Sequence, residues 1–134
     1  RYFNTCASSP VQAAAGNAVL DIIEQDDLRE NVTTVGHFLH ERFLQIQQKH
    51  KTIGDVRGHG LFRGLEFVTD LKSKTPDKQA AVRVVNALKE RGYLTGNAGA
   101  YDNVLKIRPP LVFSKNDAEE FFGALEQTLE DLDA

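Results

Sequence analysis

The chain has 134 residues, 41% of them apolar and 8 of them Phe, which is enough for one domain with a substantial core. Sixteen Lys and Arg against 19 Asp and Glu leave a net charge of -3, and the basic residues are spread along the chain, so the electrostatic footprint of a nucleic-acid binder is absent. There is no apolar run of the roughly 18 residues that a membrane span needs, no signal-peptide pattern in Arg1 to Thr5 and only one Cys, so a soluble cytoplasmic protein is expected; the lack of any Met predicts a piece of a longer one.

Ser9-Pro10-Val11-Gln12 reads as a helix start, with Ser9 as cap and Pro10 at the first helical position, and the Ala-rich stretch after it extends the helix to about Glu24. Val11, Ala13, Ala14, Ala15, Ala18, Val19 and Ile22 make that helix apolar over most of its circumference. Asp27, with Glu30 three residues on, starts a second helix. Its apolar positions Leu28, Val32, Val35, Leu39, Phe43 and Ile46 fall on one face and predict a long amphipathic helix ending near His50, with Gly36 either permitting close packing or marking a weak point.

From Thr52 the period changes. Ile53 to Arg57 and Leu61 to Val68 predict an antiparallel pair of strands around the turn Gly58-His59-Gly60, with Leu61, Leu65 and Phe67 on one face and Phe62, Glu66 and Val68 on the other. A polar loop from Asp70 to Asp77 then feeds a third helix capped by Thr75 and closed by Arg91-Gly92. Tyr93 to Thr95 is expected as a short strand, Gly96 to Asn103 as a flexible or closely approached loop, and Val104 to Arg108 as the last strand, stopped by Pro109-Pro110. A closing helix begins at Ser114, with Asp117 three residues later. The predicted fold is α+β: a small mixed or antiparallel sheet of about four strands with helices on one face.

Few residues suggest chemistry on their own. Gly58-His59-Gly60 precedes a strand, whereas a phosphate-binding glycine loop precedes a helix, so it reads as a hairpin turn. His37, His40, His50 and His59 form no metal-ligand pattern and read as surface residues, and Cys6 has no His or Asn at a nucleophile spacing. Asn31-Val32-Thr33 matches a glycosylation sequon but falls inside the second helix. Arg108, held before two prolines, offers a planar fork suited to carboxylate or phosphate, with a surface ion pair as the plainer role. Thr5, just ahead of a helix start, offers a hydroxyl to an anion, or simply makes a turn.

Taken together, Phe3-Asn4-Thr5 through Ser9-Pro10, Ile53 to Phe62, Gly64-Leu65-Glu66 and Asn103 to Leu111 resemble the C-terminal part of the class III aminotransferases, pyridoxal-phosphate enzymes of fold type I. Asp102 to Lys106 is most similar to the branch with alanine–glyoxylate aminotransferase 2-like proteins and ethanolamine-phosphate phospho-lyase. The resemblance implies that Thr5 reaches the cofactor phosphate of the neighbouring subunit in a homodimer and that Arg108 grips the substrate carboxylate. Cys6-Ala7-Ser8-Ser9 departs from the aromatic residue and glycines usual after that threonine. It also implies that the Schiff-base lysine lies upstream, in a large domain, so that this piece alone is expected to be inactive and to hold no catalytic residue. Residues 1–26 would then be the phosphate-contact loop and inter-domain helix, and residues 27–134 the small domain. Phospho-lyase action on a phosphorylated amino alcohol is the alternative activity, and a stand-alone interaction domain the alternative class.

Overall fold

The computed structural model describes residue 4 and residues 9–133; Thr5 and Cys6 lie outside the described residues. The first helix, α1 (Pro10–Gln25), has Pro10 in its first turn and Ser9 at its cap position, although the Ser9 hydroxyl makes no cap bond. Asp27, in the left-handed region at φ 47°, turns the chain into α2 (Leu28–Lys49). The expected stripe is the buried face of α2: Leu28, Val35, Leu39, Phe43 and Ile46 are all inside. By contrast α1 has no buried residue, and Val11, Val19, Leu20 and Ile22 stand exposed in this chain.

The sheet is antiparallel throughout. β1 (Ile53–His59) and β2 (Phe62–Asp70) form the predicted hairpin, β5 (Val104–Ile107) lies on the other side of β2, and β4 (Gly96–Ala98) forms the far edge. A two-residue strand, β3 (Thr75–Pro76), pairs with the end of β2. Helices α2 and α3 (Lys78–Glu90) lie on one face and α4 (Lys115–Asp133) packs on both of them, so that Leu65, Phe67 and Leu105 share one core with Phe43, Leu88 and Phe122. The rings of Phe43 and Phe122 meet edge to face at 4.9 Å.

Four expectations are corrected. The cap of α3 is Asp77, whose Oδ1 accepts from the Ala80 N–H at 2.9 Å; Thr75 is drawn into β3 instead. Tyr93 to Thr95 is not a strand, because Tyr93 turns its ring onto Phe121 and Leu94 projects into solvent, and β4 forms instead in the small-residue segment read as a loop. His50 is buried where α2 turns toward β1. Val68, assigned to the outer face of β2, is buried there because Gly54 leaves room: a Cβ on Gly54 would lie 2.7 Å from Val68 Cγ1.

Gly36 permits close packing. A Cβ there would meet the backbone of Gly60 at 2.8 Å, so the hairpin turn lies directly on α2. Gly36→Ala would gain about 1 kcal/mol of helix propensity, but overpacking of this kind costs roughly 1–3 kcal/mol. Net destabilisation is expected in urea unfolding, and a more stable variant would contradict this packing.

The start of α4 carries a reciprocal cap. The Ser114 N–H and hydroxyl donate to Asp117 Oδ2 at 2.8 and 2.7 Å, and the Asp117 N–H donates to Ser114 Oγ at 3.1 Å. The hydroxyl first, then the N–H, holds the Asp117 carboxyl below its ordinary value of 3.8. A lowered folded-state pKa gives stability that is complete above the unfolded value and is lost as pH falls through the folded one. The stability gap between wild type and Ser114→Ala should therefore be constant from pH 7 down to about 5 and shrink by pH 3, as read by urea titration at each pH.

Candidate anion-binding cleft

Hydrogen bonds from distant segments position Arg108. Asn103, buried at the mouth of β5, exchanges bonds with Phe67 on β2: its Nδ2 donates to Phe67 O and its O accepts from the Phe67 N–H, both at 2.8 Å. The preceding loop is tied by Asn97 Nδ2 to Asp102 O at 3.0 Å and by the Lys78 to Asp102 ion pair at 2.8 Å. Beyond Pro109-Pro110 the chain turns, with the Phe113 N–H on Pro110 O. Asn31 on α2 clasps that turn, donating to Leu111 O at 2.7 Å and Phe113 O at 3.1 Å. This gives the sequon asparagine an internal role.

Arg108 thus emerges from the end of β5 between two anchored points. Its side chain is exposed and makes no hydrogen bond or ion pair among the described residues. It borders a cleft of about 130 Å³ whose wall includes Tyr93, Thr95, Lys106, Pro109 and Phe121. Among the described residues no carboxylate lines this cleft. Arg57, by contrast, is paired on the open sheet face with Asp55 at 2.7 Å and Glu66 at 2.5 Å, which hold its pKa above the ordinary value. Of the two predicted site residues, then, Arg108 lies at a cleft, while Thr5 lies outside the described residues.

The glycine turn is not a phosphate cradle. Gly58 and Gly60 have positive φ values of 135° and 51°, and their carbonyls accept from Arg63, whose Nη1 and Nε both donate at 2.9 Å. Arg63 Nη2 donates to Gly36 O at 2.6 Å, so one buried guanidinium joins both sides of the turn to α2, and burial pushes its pKa below the ordinary value. The sequence reading passed over Arg63 and Lys106. Arg63 carried a signal, since it shares the inward parity of Leu61, Leu65 and Phe67; Lys106 carried only its two-residue offset from Arg108.

The fold and cleft define a helix-backed antiparallel sheet that presents cations at the end of a strand. The family model "Aminotransferase class-III" matches residues 2–129, and the chain belongs to that family. It is 43% identical over 128 residues to the alanine–glyoxylate aminotransferase 2 homolog 2, mitochondrial, of Arabidopsis thaliana, covering 96% of this chain and 27% of that protein. It is 39% identical to the ethanolamine-phosphate phospho-lyase homolog 1 of Caenorhabditis elegans, covering 96% and 28%. A phospholyase from Arthrobacter, solved in complex with phosphoethanolamine, superposes with a TM-score of 0.91 at 39% identity over 96% of this chain and 31% of that one. The chain therefore spans about a quarter of the length of these curated relatives.

Members of this family depend on pyridoxal 5'-phosphate. The cleft fits one part of such a site. Cations suit a substrate's anionic group or a phosphate, whereas the cofactor's ring nitrogen takes a carboxylate partner, which the described residues of this cleft do not offer.

Proposed function

We propose that the full-length protein is an aminotransferase that moves an amino group from an amino donor to a keto acid or aldehyde, with Arg108 holding the substrate's carboxylate. The observation that carries this reading is the exposed guanidinium of Arg108, which has no partner among the described residues, beside a cleft that none of their carboxylates lines, in a chain of the class III family. When bound, the cofactor supplies the electron sink for chemistry at the amino carbon. Arg108 supplies orientation, since a bidentate grip on the carboxylate fixes the far end of the substrate and with it the direction of the reacting bond.

In the same reading Thr5 contacts the cofactor phosphate of the neighbouring subunit in a homodimer. Residues 1–26 connect to a large domain, which covers the apolar side of α1, and residues 27–134 form the small domain. The Schiff-base lysine belongs to that large domain, so the 134 residues alone do not turn over. Fractionation decides between the cytoplasm, favoured by the sequence reading, and the mitochondrion in the Arabidopsis relative's name.

A second reading, elimination of phosphate from a phosphorylated amino alcohol, is favoured by the likeness to the phospholyase crystallised with phosphoethanolamine. A panel of alanine, a terminal amine and phosphoethanolamine, each with and without pyruvate, separates the two in the full-length protein. Pyruvate-dependent amino transfer supports the first reading. Release of phosphate and ammonia without any acceptor overturns it in favour of the second.

A further inference from the structure

Asn31 is a half-buried polar residue on the inward side of α2, three residues after Leu28 and four before Val35 in the apolar stripe. Removing an amide from water there is costly unless hydrogen bonds replace the lost ones. Its Nδ2 donates to Leu111 O at 2.7 Å and Phe113 O at 3.1 Å, 80 and 82 residues along the chain. The Asn31 backbone is itself fixed in the first turn of α2, where its N–H donates to Asp27 O at 3.1 Å.

The turn that Asn31 holds has little else to fix it. Pro109 and Pro110 have no N–H to donate, and within Pro109 to Phe113 the described residues show one backbone bond, from the Phe113 N–H to Pro110 O at 3.0 Å. Leu111 and Val112 stand 43% and 62% exposed, so burial anchors neither. The two prolines are nevertheless stiff, since each ring fixes φ at about −65°. Arg108 and Pro109 are restricted as well, because each precedes a proline. A displacement at Leu111 is therefore passed back to Arg108 instead of being absorbed by the residues between them.

We propose that Asn31 is a positioning residue for substrate recognition: through the stiff Pro109-Pro110 link it fixes where Arg108 stands, and so where the substrate's carboxylate is held. The proposal rests on the reading that Arg108 grips that carboxylate. Asn31 does not border the cleft and acts only through Arg108. Its signature is selective, because a donor with a carboxylate depends on the place of Arg108 and a simple terminal amine does not.

The test compares wild type, Asn31→Ala, Arg108→Ala and the double variant in the full-length protein loaded with pyridoxal phosphate, at a temperature where each is folded. Two quantities are read: the affinity for propionate, an unreactive carboxylate, by isothermal titration, and kcat/KM for alanine and for a terminal amine. Asn31→Ala should weaken propionate binding and lower kcat/KM for alanine by roughly tenfold each, as misplacement of an orienting group does. The terminal amine should change by less than about twofold. In the Arg108→Ala background the Asn31 substitution should cost less than about twofold in either quantity, since its effect has no other route. Equal losses for alanine and the amine, no loss for alanine, or a full effect without Arg108 would overturn the positioning role and leave the reading of Arg108 intact. If Arg108→Ala itself leaves propionate and alanine unchanged, that reading fails instead. Should Asn31→Ala fold poorly, Asn31→Gln, which keeps the amide on a longer stem, is read by the same comparison.

Discussion

Replacing Arg63 with leucine is expected to cost roughly 3 kcal/mol of folding stability, a large share of the usual 5–15 kcal/mol for a domain. Leucine keeps the apolar bulk of the side chain, so the loss is attributable to hydrogen bonding. The Arg63 guanidinium donates to the carbonyls of Gly60, Gly58 and Gly36, and it is only 6% exposed. Removing it leaves three backbone carbonyls without their donor. Arg63→Lys should fall between wild type and Arg63→Leu, because an ammonium cannot span three carbonyls that a planar fork reaches. Urea unfolding at pH 7 measures all three proteins, and a loss for Arg63→Leu below about 1 kcal/mol would mean that the turn does not depend on this clasp.

The second large effect is on activity. In the full-length protein Arg108→Ala should lower kcat/KM for an amino donor bearing a carboxylate or phosphate by roughly 100- to 1,000-fold, about 3–4 kcal/mol of transition-state stabilisation. A simple terminal amine, with no anion to hold, should change by less than about threefold. Folding stability should move by less than about 0.5 kcal/mol, because the exposed Arg108 side chain has no partner among the described residues. That separation between activity and stability distinguishes a substrate clamp from a structural arginine. Equal losses for the amine and the anionic donors would remove Arg108 from substrate recognition.

The two arginines differ in how far the sequence exposes their roles. Arg108 stood out locally, at a strand end stiffened by Pro109-Pro110, and the family resemblance attached a role to it. Arg63 looked like an ordinary polar position of a hairpin strand, and its partner Gly36 is 27 residues away. The resemblance also led directly to the family, whose model covers residues 2–129.

The sequence by itself determined the elements whose burial repeats with a local period. The stripe from Leu28 to Ile46 specified α2 and its inward face, Leu65 and Phe67 specified the inward face of β2, and Ser114 with Asp117 specified the start of α4. Each of these depends on neighbours within a few residues, so composition and spacing record it. Only the tertiary structure decided where the edge strand β4 forms, why Val68 is buried opposite Gly54, that Asn31 holds the turn after Pro110, and that Arg108 borders a cleft with Tyr93 and Phe121. Those outcomes come from contacts between segments tens of residues apart, where a backbone carbonyl or a missing Cβ is the deciding partner. Such partners leave no periodic mark on the chain that folds around them.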